Sequence, residues 1–532
     1  MKRFFYASCL FLAIIPLETK AQFSEGDALR YSQDILGGDA RYAAMGGAFC
    51  AVGGDLSTLA YNPAGIAVFN KSQIEITPGL TLQSTNANYN GASNVNEASS
   101  INLQNIGIVG TWKVRKKDKD DEGGWKSYNF GFAYNRLNNF NDNITIQGKS
   151  NNSTMLDPLT SAANGTSYTN LEPFLLSPAF NSGLLDTLPG TNASQYFNII
   201  QSALNSGNGY YIQQTENITT TGSMGEFDFS FGGNYGDKLF IGGTFGIVNL
   251  NYSGTDAYTE TAEYTDATYG FQNYSYIQNV TTSGTGYNFK LGFIYRLMDW
   301  LRVGGAINSP TFFNMNNSFS TEWTANYGPS PYSGPDGTQV TGLGSQINYN
   351  SSLTTPLKAI GGAAAIINNQ GIVSVDYEYV NYSTISINSS DLGPQYTAAV
   401  NSEIGQDFIQ ASNLKFGFEW VLYPVSFRLG YDIYGNPYNQ GTVGFASVRN
   451  TYSAGIGLKV NNAFFDLAYT LMQYNEQPEL YSGSNPTTLK TNITNVMFTL
   501  GYNFGTEKHH AHRGERFNNY PPPPPPPPPA GY

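Results

Sequence analysis

The stretch TGYNFKLGFIYRL, residues 285–297, decides the fold class. Tyr287, Phe289, Leu291, Phe293, Tyr295 and Leu297 take every second position, and Asn288, Lys290, Gly292, Ile294 and Arg296 lie between them. In extended backbone successive side chains point to opposite faces, so one surface is greasy and the other largely polar. A helix would scatter both sets around its axis. Ordinary soluble strands run to about five or six residues, whereas a tilted strand needs about nine to eleven to cross a bilayer. This segment is long enough to cross.

The same pattern repeats on either side of it. In Thr451–Val460 the residues Tyr452, Ala454, Ile456, Leu458 and Val460 oppose Ser453, Gly455, Gly457 and Lys459. Next, Phe465, Leu467, Tyr469 and Leu471 oppose Phe464, Asp466, Ala468 and Thr470. From Gln73 to Phe504 there are about fourteen such segments, the spacing of an up-and-down barrel. Short turns at Gly236–Lys238, Met298–Trp300, Asn368–Gly371, Tyr423-Pro424 and Asn461-Asn462 alternate with long connections near 139–218, 253–271, 316–345, 386–410, 435–449 and 475–489. The expected fold class is all-β: a transmembrane antiparallel up-and-down β-barrel. An even strand count places both chain ends on one side, expected to be the periplasm.

Composition agrees. Charged residues make up 12% of the 532, about half of the roughly 25% usual in soluble domains, and aromatic residues reach 14%. Beyond the leader no stretch approaches the about twenty consecutive apolar residues of a membrane helix. A secreted lectin or adhesin would share the composition but has no need of such tall strands. The net charge of −12 and the lack of basic clusters argue against nucleic acid as a partner.

Four regions follow. Residues 1–21 read as a signal peptide: Lys2 and Arg3, the apolar run Phe4–Leu17, then Thr19-Lys20-Ala21 as a small-residue cleavage site. Cleavage leaves Cys50 as the one cysteine, so no internal disulfide supports the fold. Residues 22–72 are rich in Gly and Ala with little two-residue periodicity, and suit a compact hatch or plug. Residues 73–504 form the barrel with long extracellular loops. Within the first long loop, Pro173–Phe180 and Gln195–Leu204 carry a short helical rhythm suited to a cap. Residues 505–532 form a His- and Pro-rich periplasmic tail. It holds His509, His510 and His512, and its run Pro521–Pro529 extends about 28 Å as polyproline II, a candidate ligand for a periplasmic protein partner.

Catalytic constellations are missing. With every histidine in the tail, the barrel has no means to build a Ser-His-Asp or Cys-His site. No phosphate-cradling loop occurs, since Gly46-Gly47 and Gly53-Gly54 lack a following Lys. No enzyme activity, cofactor or metal site is expected. The informative charges are those alternating inward: Glu226, Asp228, Lys290, Arg296, Asp376, Glu378, Lys415, Glu419, Arg428, Asp432, Lys459 and Asp466. A charge on the lipid face near the midplane costs about 2–4 kcal/mol, but a wet lumen tolerates it. Opposite signs are expected to pair there. Lys290, Arg296 and Arg428 are candidate partners for a ligand carboxylate through charge-assisted hydrogen bonds.

One segment carries a resemblance. In Ala51–Ala67, AVGGDLSTLAYNPAGIA, Asp55-Leu56-Ser57-Thr58 followed by Asn62-Pro63-Ala64-Gly65 resembles the N-terminal hatch of the FadL family of long-chain fatty acid transporters. Gly131–Arg136 through Asn139–Asn141, Arg302–Pro310, Val375–Tyr382, Phe427–Tyr431 and Tyr452–Leu458 are similar to later parts of such proteins, in order. The resemblance implies a fourteen-stranded barrel closed by a hatch. In it a hydrophobic ligand is captured outside, reaches a lumen pocket near the hatch and leaves sideways into the membrane. Asp55, Asn62, Pro63, Ala64 and Gly65 would shape the hatch. The family usually ends at an aromatic residue closing the last strand, here Phe504, whereas this chain continues to Tyr532. The expected function is passive uptake of hydrophobic small molecules, such as long-chain fatty acids, across a Gram-negative outer membrane, with outer-membrane lipids as surroundings. The alternative is an interaction component of a type IX-like secretion machinery built on the same barrel.

Overall fold

In a computed structural model the alternating segments pair into one closed ring. The structure describes residues 24–505 apart from 115–123, 191–192, 206–209, 264–268, 334–336, 369 and 440–446. The leader and the tail beyond Gly505 lie outside the described residues. In chain order the strands are β1 Ser72–Tyr89, β2 Ala92–Lys113, β3 Trp125–Asn139 continued by Asp142–Ser150, β4 Ile212–Tyr235, β5 Leu239–Ala262, β6 Phe271–Met298, and β7 Leu301–Asn308 continued by Phe312–Tyr327. There follow β8 Gln346–Thr354 continued by Lys358–Ile367, β9 Gly371–Asn381, β10 Gln410–Leu422, β11 Val425–Tyr434, β12 Arg449–Val460, β13 Ala463–Glu476 and β14 Thr488–Phe504. Each runs antiparallel to the next. The ring closes where β14 meets β1, from Ser72 opposite Phe504 to Asn88 opposite Thr488. Strands β7 and β8 are interrupted side by side at Pro310 and Pro356, residues without an N–H to give a ladder.

Closure has a physical cause. Hydrocarbon offers no partner to a backbone N–H or C=O, so a sheet in it can have no free edge. Among the described residues no helix is long and apolar enough to cross a membrane. The outward positions of β6 from Tyr287 to Leu297 are exposed apolar residues, while Asn288 and Lys290 between them are buried. At about 3.3 Å per residue and a tilt of about 40°, that span is roughly 25 Å tall, the height of a lipid-facing band.

The strands are taller than the hydropathy pattern indicates. Long connections were expected at 253–271 and 316–345, yet β5 runs to Ala262, β6 starts at Phe271 and β7 reaches Tyr327. Above the apolar band the outward positions turn to Asn251, Ser253 and Thr255 on β5, Thr281 and Ser283 on β6, and Asn316 and Ser318 on β7. There the outward face is polar while inward Leu250, Tyr252, Phe313 and Met315 are apolar and buried, so the pattern of a lipid-facing strand is reversed although the ladder continues. The first long connection holds short helices at Leu156–Ala163, Leu176–Asn181 and Ile199–Leu204.

Residues 24–70 pack inside the ring. Helices α1 Glu25–Arg30 and α2 Ala40–Ala44 are followed by 3-10 turns Leu56–Ala60 and Pro63–Val68, each capped by a polar side chain: Ser24, Asp39, Asp55 and Asn62. Such caps satisfy backbone donors that short helices leave unpaired. Phe293→Arg, which sets a charge in the middle of the apolar band, is expected to destabilise the barrel by about 2–4 kcal/mol. Thr285→Arg, near the band's edge, should cost at most about 1 kcal/mol. Denaturant unfolding in lipid vesicles compares the two.

Candidate functional site

The lumen is layered, and the layer nearest the chain ends holds the buried ion pairs among small apolar clusters of the inner segment and the wall. Asn62 closes its own turn, its Oδ1 accepting from the Ala64 N–H at 3.1 Å, while its Nδ2 donates to the Cys50 carbonyl at 2.6 Å and to the Phe293 carbonyl of β6 at 3.3 Å. Pro63 sits at the first helical position, where its missing N–H costs nothing. Asp55 Oδ1 accepts from the Ser57 N–H at 3.0 Å, and burial beside Asp39 pushes its carboxyl well above the usual carboxylate range. Ala64 is fully buried, and the Gly65 carbonyl accepts from the Gly54 N–H at 2.9 Å. The structure therefore gathers all five motif residues in one compact turn region.

What receives this turn is a set of wall glycines that sequence reasoning missed. A Cβ at Gly242 of β5 would lie 2.2 Å from the Pro63 carbonyl oxygen, and one at Gly292 of β6 would lie 1.9 Å from Asn62 Oδ1. At Gly304 of β7 it would meet the Cys50 carbonyl oxygen at 2.2 Å. Only glycine permits such backbone approach. The signal was present as glycines at inward positions of neighbouring strands, but nothing local says what they face.

Of the twelve inward charges named above, six meet in ion pairs: Glu226, Asp228, Lys290, Glu419, Arg428 and Asp466. Lys290 Nζ lies 2.5 Å from Glu226 and 3.1 Å from Asp228, whose remaining oxygens accept from Asn288 at 2.7 Å and Asn135 at 2.9 Å. Arg428 bridges Glu419 at 2.7 Å and Asp466 at 2.5 Å, and Glu419 also holds Arg41 of α2 at 2.8 Å. Lys358 pairs with Asp34. Two of the three candidate carboxylate partners, Lys290 and Arg428, thus have their charges met by wall carboxylates. The third, Arg296, lies apart from them, opposite Arg302 at the short-turn end of the barrel. Cys50 is buried and its N–H donates to Asp376 at 2.7 Å; burial pushes its thiol up, away from the nucleophilic thiolate.

Above the layer of ion pairs lies an apolar one. Leu29 and Tyr31 from α1, Phe140, Tyr252, Phe313 and Met315 from the wall, and Val400 and Ile404 from a helix at Pro394–Asp407 form one buried cluster. The first long connection covers it: the Phe174 carbonyl accepts from Trp323 Nε1 at 3.2 Å, and Glu260 accepts from the Met155 N–H at 2.9 Å and the Tyr258 hydroxyl at 2.6 Å.

The wall beside this apolar layer is interrupted. Pairing of β2 with β3 stops at Asn105 opposite Asn135, so Ala92–Leu103 of β2 have ladder partners on β1 alone. Strand β3 breaks its own run at Phe140, whose ring meets Tyr31 at 6.0 Å and Tyr252 at 5.6 Å edge to face. Side chains bridge the seam instead of backbone: Asn139 Nδ2 donates to Ser100 Oγ at 3.0 Å, and Arg136 Nε to the Leu103 carbonyl at 3.1 Å. From inside, the Ile35 N–H donates to the Leu137 carbonyl at 2.9 Å and Asn138 Nδ2 to the Gln33 carbonyl at 3.1 Å.

No protein-family model and no curated protein match the chain. Solved structures do. A FadL homologue from Pseudomonas aeruginosa aligns with a TM-score of 0.52 at 11% identity, over 89% of this chain and 100% of that one. The Pseudomonas putida toluene transporter TodX aligns at 0.49 and 13%, over 89% and 100%. The Ralstonia pickettii toluene transporter TbuX aligns at 0.46 and 14%, over 88% and 99%. At such identities the likeness is one of fold, and the fold is that of the FadL homologue.

Lys290→Met should destabilise the barrel by about 3–5 kcal/mol, because it strands two buried carboxylates. The triple variant Lys290→Met/Glu226→Gln/Asp228→Asn should recover most of that loss. Denaturant midpoints of the two variants measure it.

Proposed function

We propose that this chain is an outer-membrane channel for passive uptake of hydrophobic small molecules, fatty acids among them, with a side exit between β2 and β3. The observation that carries the reading is the interrupted β2–β3 ladder standing beside an apolar lumen layer that rests on a charged one. An apolar solute gains nothing from the paired charges below, and crossing them would leave polar groups desolvated without partners. The seam offers a shorter way into hydrocarbon. It is joined there by a few side-chain hydrogen bonds, each worth about 0.5–1.5 kcal/mol net, in place of a continuous ladder.

In this reading residues 22–70 are the hatch, shaped by Asp55, Asn62, Pro63, Ala64 and Gly65 and seated on the wall glycines. Lys290 and Arg428 act as internal ties, since a ligand carboxylate would have to displace Glu226, Asp228, Glu419 or Asp466 to reach them. Arg296 stays a candidate for a head group at the periplasmic end. Tyr31 of the hatch, packed on Phe140, links its position to the bend that opens the seam. The fold shared with a FadL homologue supports this reading, and so do the outward band of apolar residues and the placement of both described chain ends on one side.

Two outcomes test it. Deleting residues 22–70 should leave a heat-modifiable barrel that leaks apolar probes; a soluble product, or unaltered uptake by intact cells, would refute the hatch. The pair Ser100→Cys/Asn139→Cys, oxidised to a disulfide across the seam, should abolish uptake of a fluorescent fatty acid, with recovery on reduction. Uptake that is insensitive to the crosslink would rule out this exit.

A further inference from the structure

Just below the seam the lipid face is neither smooth nor uniformly aliphatic. Ladder register lines up two rows of outward side chains across five strands. One runs Ile108, Phe132, Phe229, Phe245 and Phe289; the next runs Gly110, Phe130, Phe231, Gly243 and Leu291. The first row is a lattice of rings, with centroids 5.0 Å apart for Phe132–Phe229 and 5.1 Å for Phe245–Phe289. In the second, Phe130 and Phe231 stand 4.8 Å apart and Gly243 leaves a dip with no side chain. Together they bound a depression of about 1170 Å³. A single outward pair, Ile106 opposite Tyr134, separates it from the point where the β2–β3 ladder ends.

From this we infer that the aromatic trough on the outer face of β2–β6 is a binding site for the transported hydrocarbon after it leaves the seam. The inference rests on the side exit proposed above. Three features select this occupant over ordinary bilayer lipid. The trough lies one outward pair from the gap, so a molecule emerging there reaches it by a short step along the wall. Its ring faces and edges give a flat or extended apolar solute contacts that a fluid acyl shell gives only in passing, and aromatic pairs add to simple area burial. The equivalent face of β9 carries Val373, Val375 and Tyr377 instead of a ring lattice. A held ligand near the gap lowers the chance of re-entry and sets a second selection step for rings and chains outside the lumen.

The test uses the full mature chain in vesicles and a long-chain fatty acid bearing a diazirine, followed by peptide mapping of photolabel. Label is expected on lumen residues such as Tyr252 and Phe313. It is also expected on Phe132, Phe229 and Phe289, at no less than about threefold the level on Val373 and Val375, a ratio within the range of aromatic contact energies. Gly243→Phe, which fills the dip, and separately Phe229→Leu should lower the trough label while leaving lumen label unchanged. Locking the seam with the Ser100→Cys/Asn139→Cys disulfide should remove the trough excess and leave the lumen labelled. Lumen label with trough label equal to that on β9 would overturn the trough and leave the channel reading standing. A trough excess that survives the locked seam would also overturn it, because the probe would then arrive from the bilayer. Absence of lumen label would remove the premise, and the trough with it.

Discussion

Every peptide group inside hydrocarbon has to find its partner within the protein, and the rest of this structure depends on that constraint. It turns a row of alternating segments into a ring closed by β14 on β1. It also makes the seam between β2 and β3 informative. An unpaired backbone group in lipid costs several kcal/mol, so a ladder interrupted at the edge of the apolar band calls for substitutes. Arg136 supplies one for the Leu103 carbonyl, Asn139 ties β3 to the Ser100 hydroxyl, and Asn138 fastens β3 to the segment packed inside the ring.

Closing the ring creates a second problem, the filling of its interior. The chain meets it with two materials. Near the chain ends, opposite charges sit within hydrogen-bonding distance, Lys290 with Glu226 and Asp228, Arg428 with Glu419 and Asp466. A buried charge without such a partner would be strongly unfavourable. Glycines 242, 292 and 304 let the backbone of the inner segment lie directly on the wall. Farther up, Phe140, Tyr252, Phe313 and Met315 replace charge with grease. The seam stands at the boundary between the two, with Asn135 bonded to Asp228 on one side and Phe140 in the apolar cluster on the other.

Legibility varied with the kind of signal. Residues 285–297 announce a membrane strand because both faces have a fixed environment, lipid on one side and lumen on the other. Higher up, Asn251, Ser253, Thr281 and Ser283 lie on the outside while Leu250 and Tyr252 point inward, so the pattern of a lipid-facing strand is reversed and the strands read as loops. Asn62-Pro63-Ala64-Gly65 stood out through a resemblance, and its cap and first-position proline act within four residues. Its seats at Gly242 and Gly292 were not legible, being well over a hundred residues away along the chain. Lys290 and Arg428 were readable as inward charges, but whether each met a ligand or a carboxylate depended on neighbours across strands.

By itself, then, the order of residues determined the barrel, its approximate strand number and the inward direction of its charges. These are consequences of periodicity, which acts between near neighbours. Tertiary structure alone decided which charges pair, where the inner segment rests, that the β2–β3 ladder stops at Asn105, and that four phenylalanines from four strands fall into one row. Those outcomes depend on register between strands, and register is set by the closure of the whole ring.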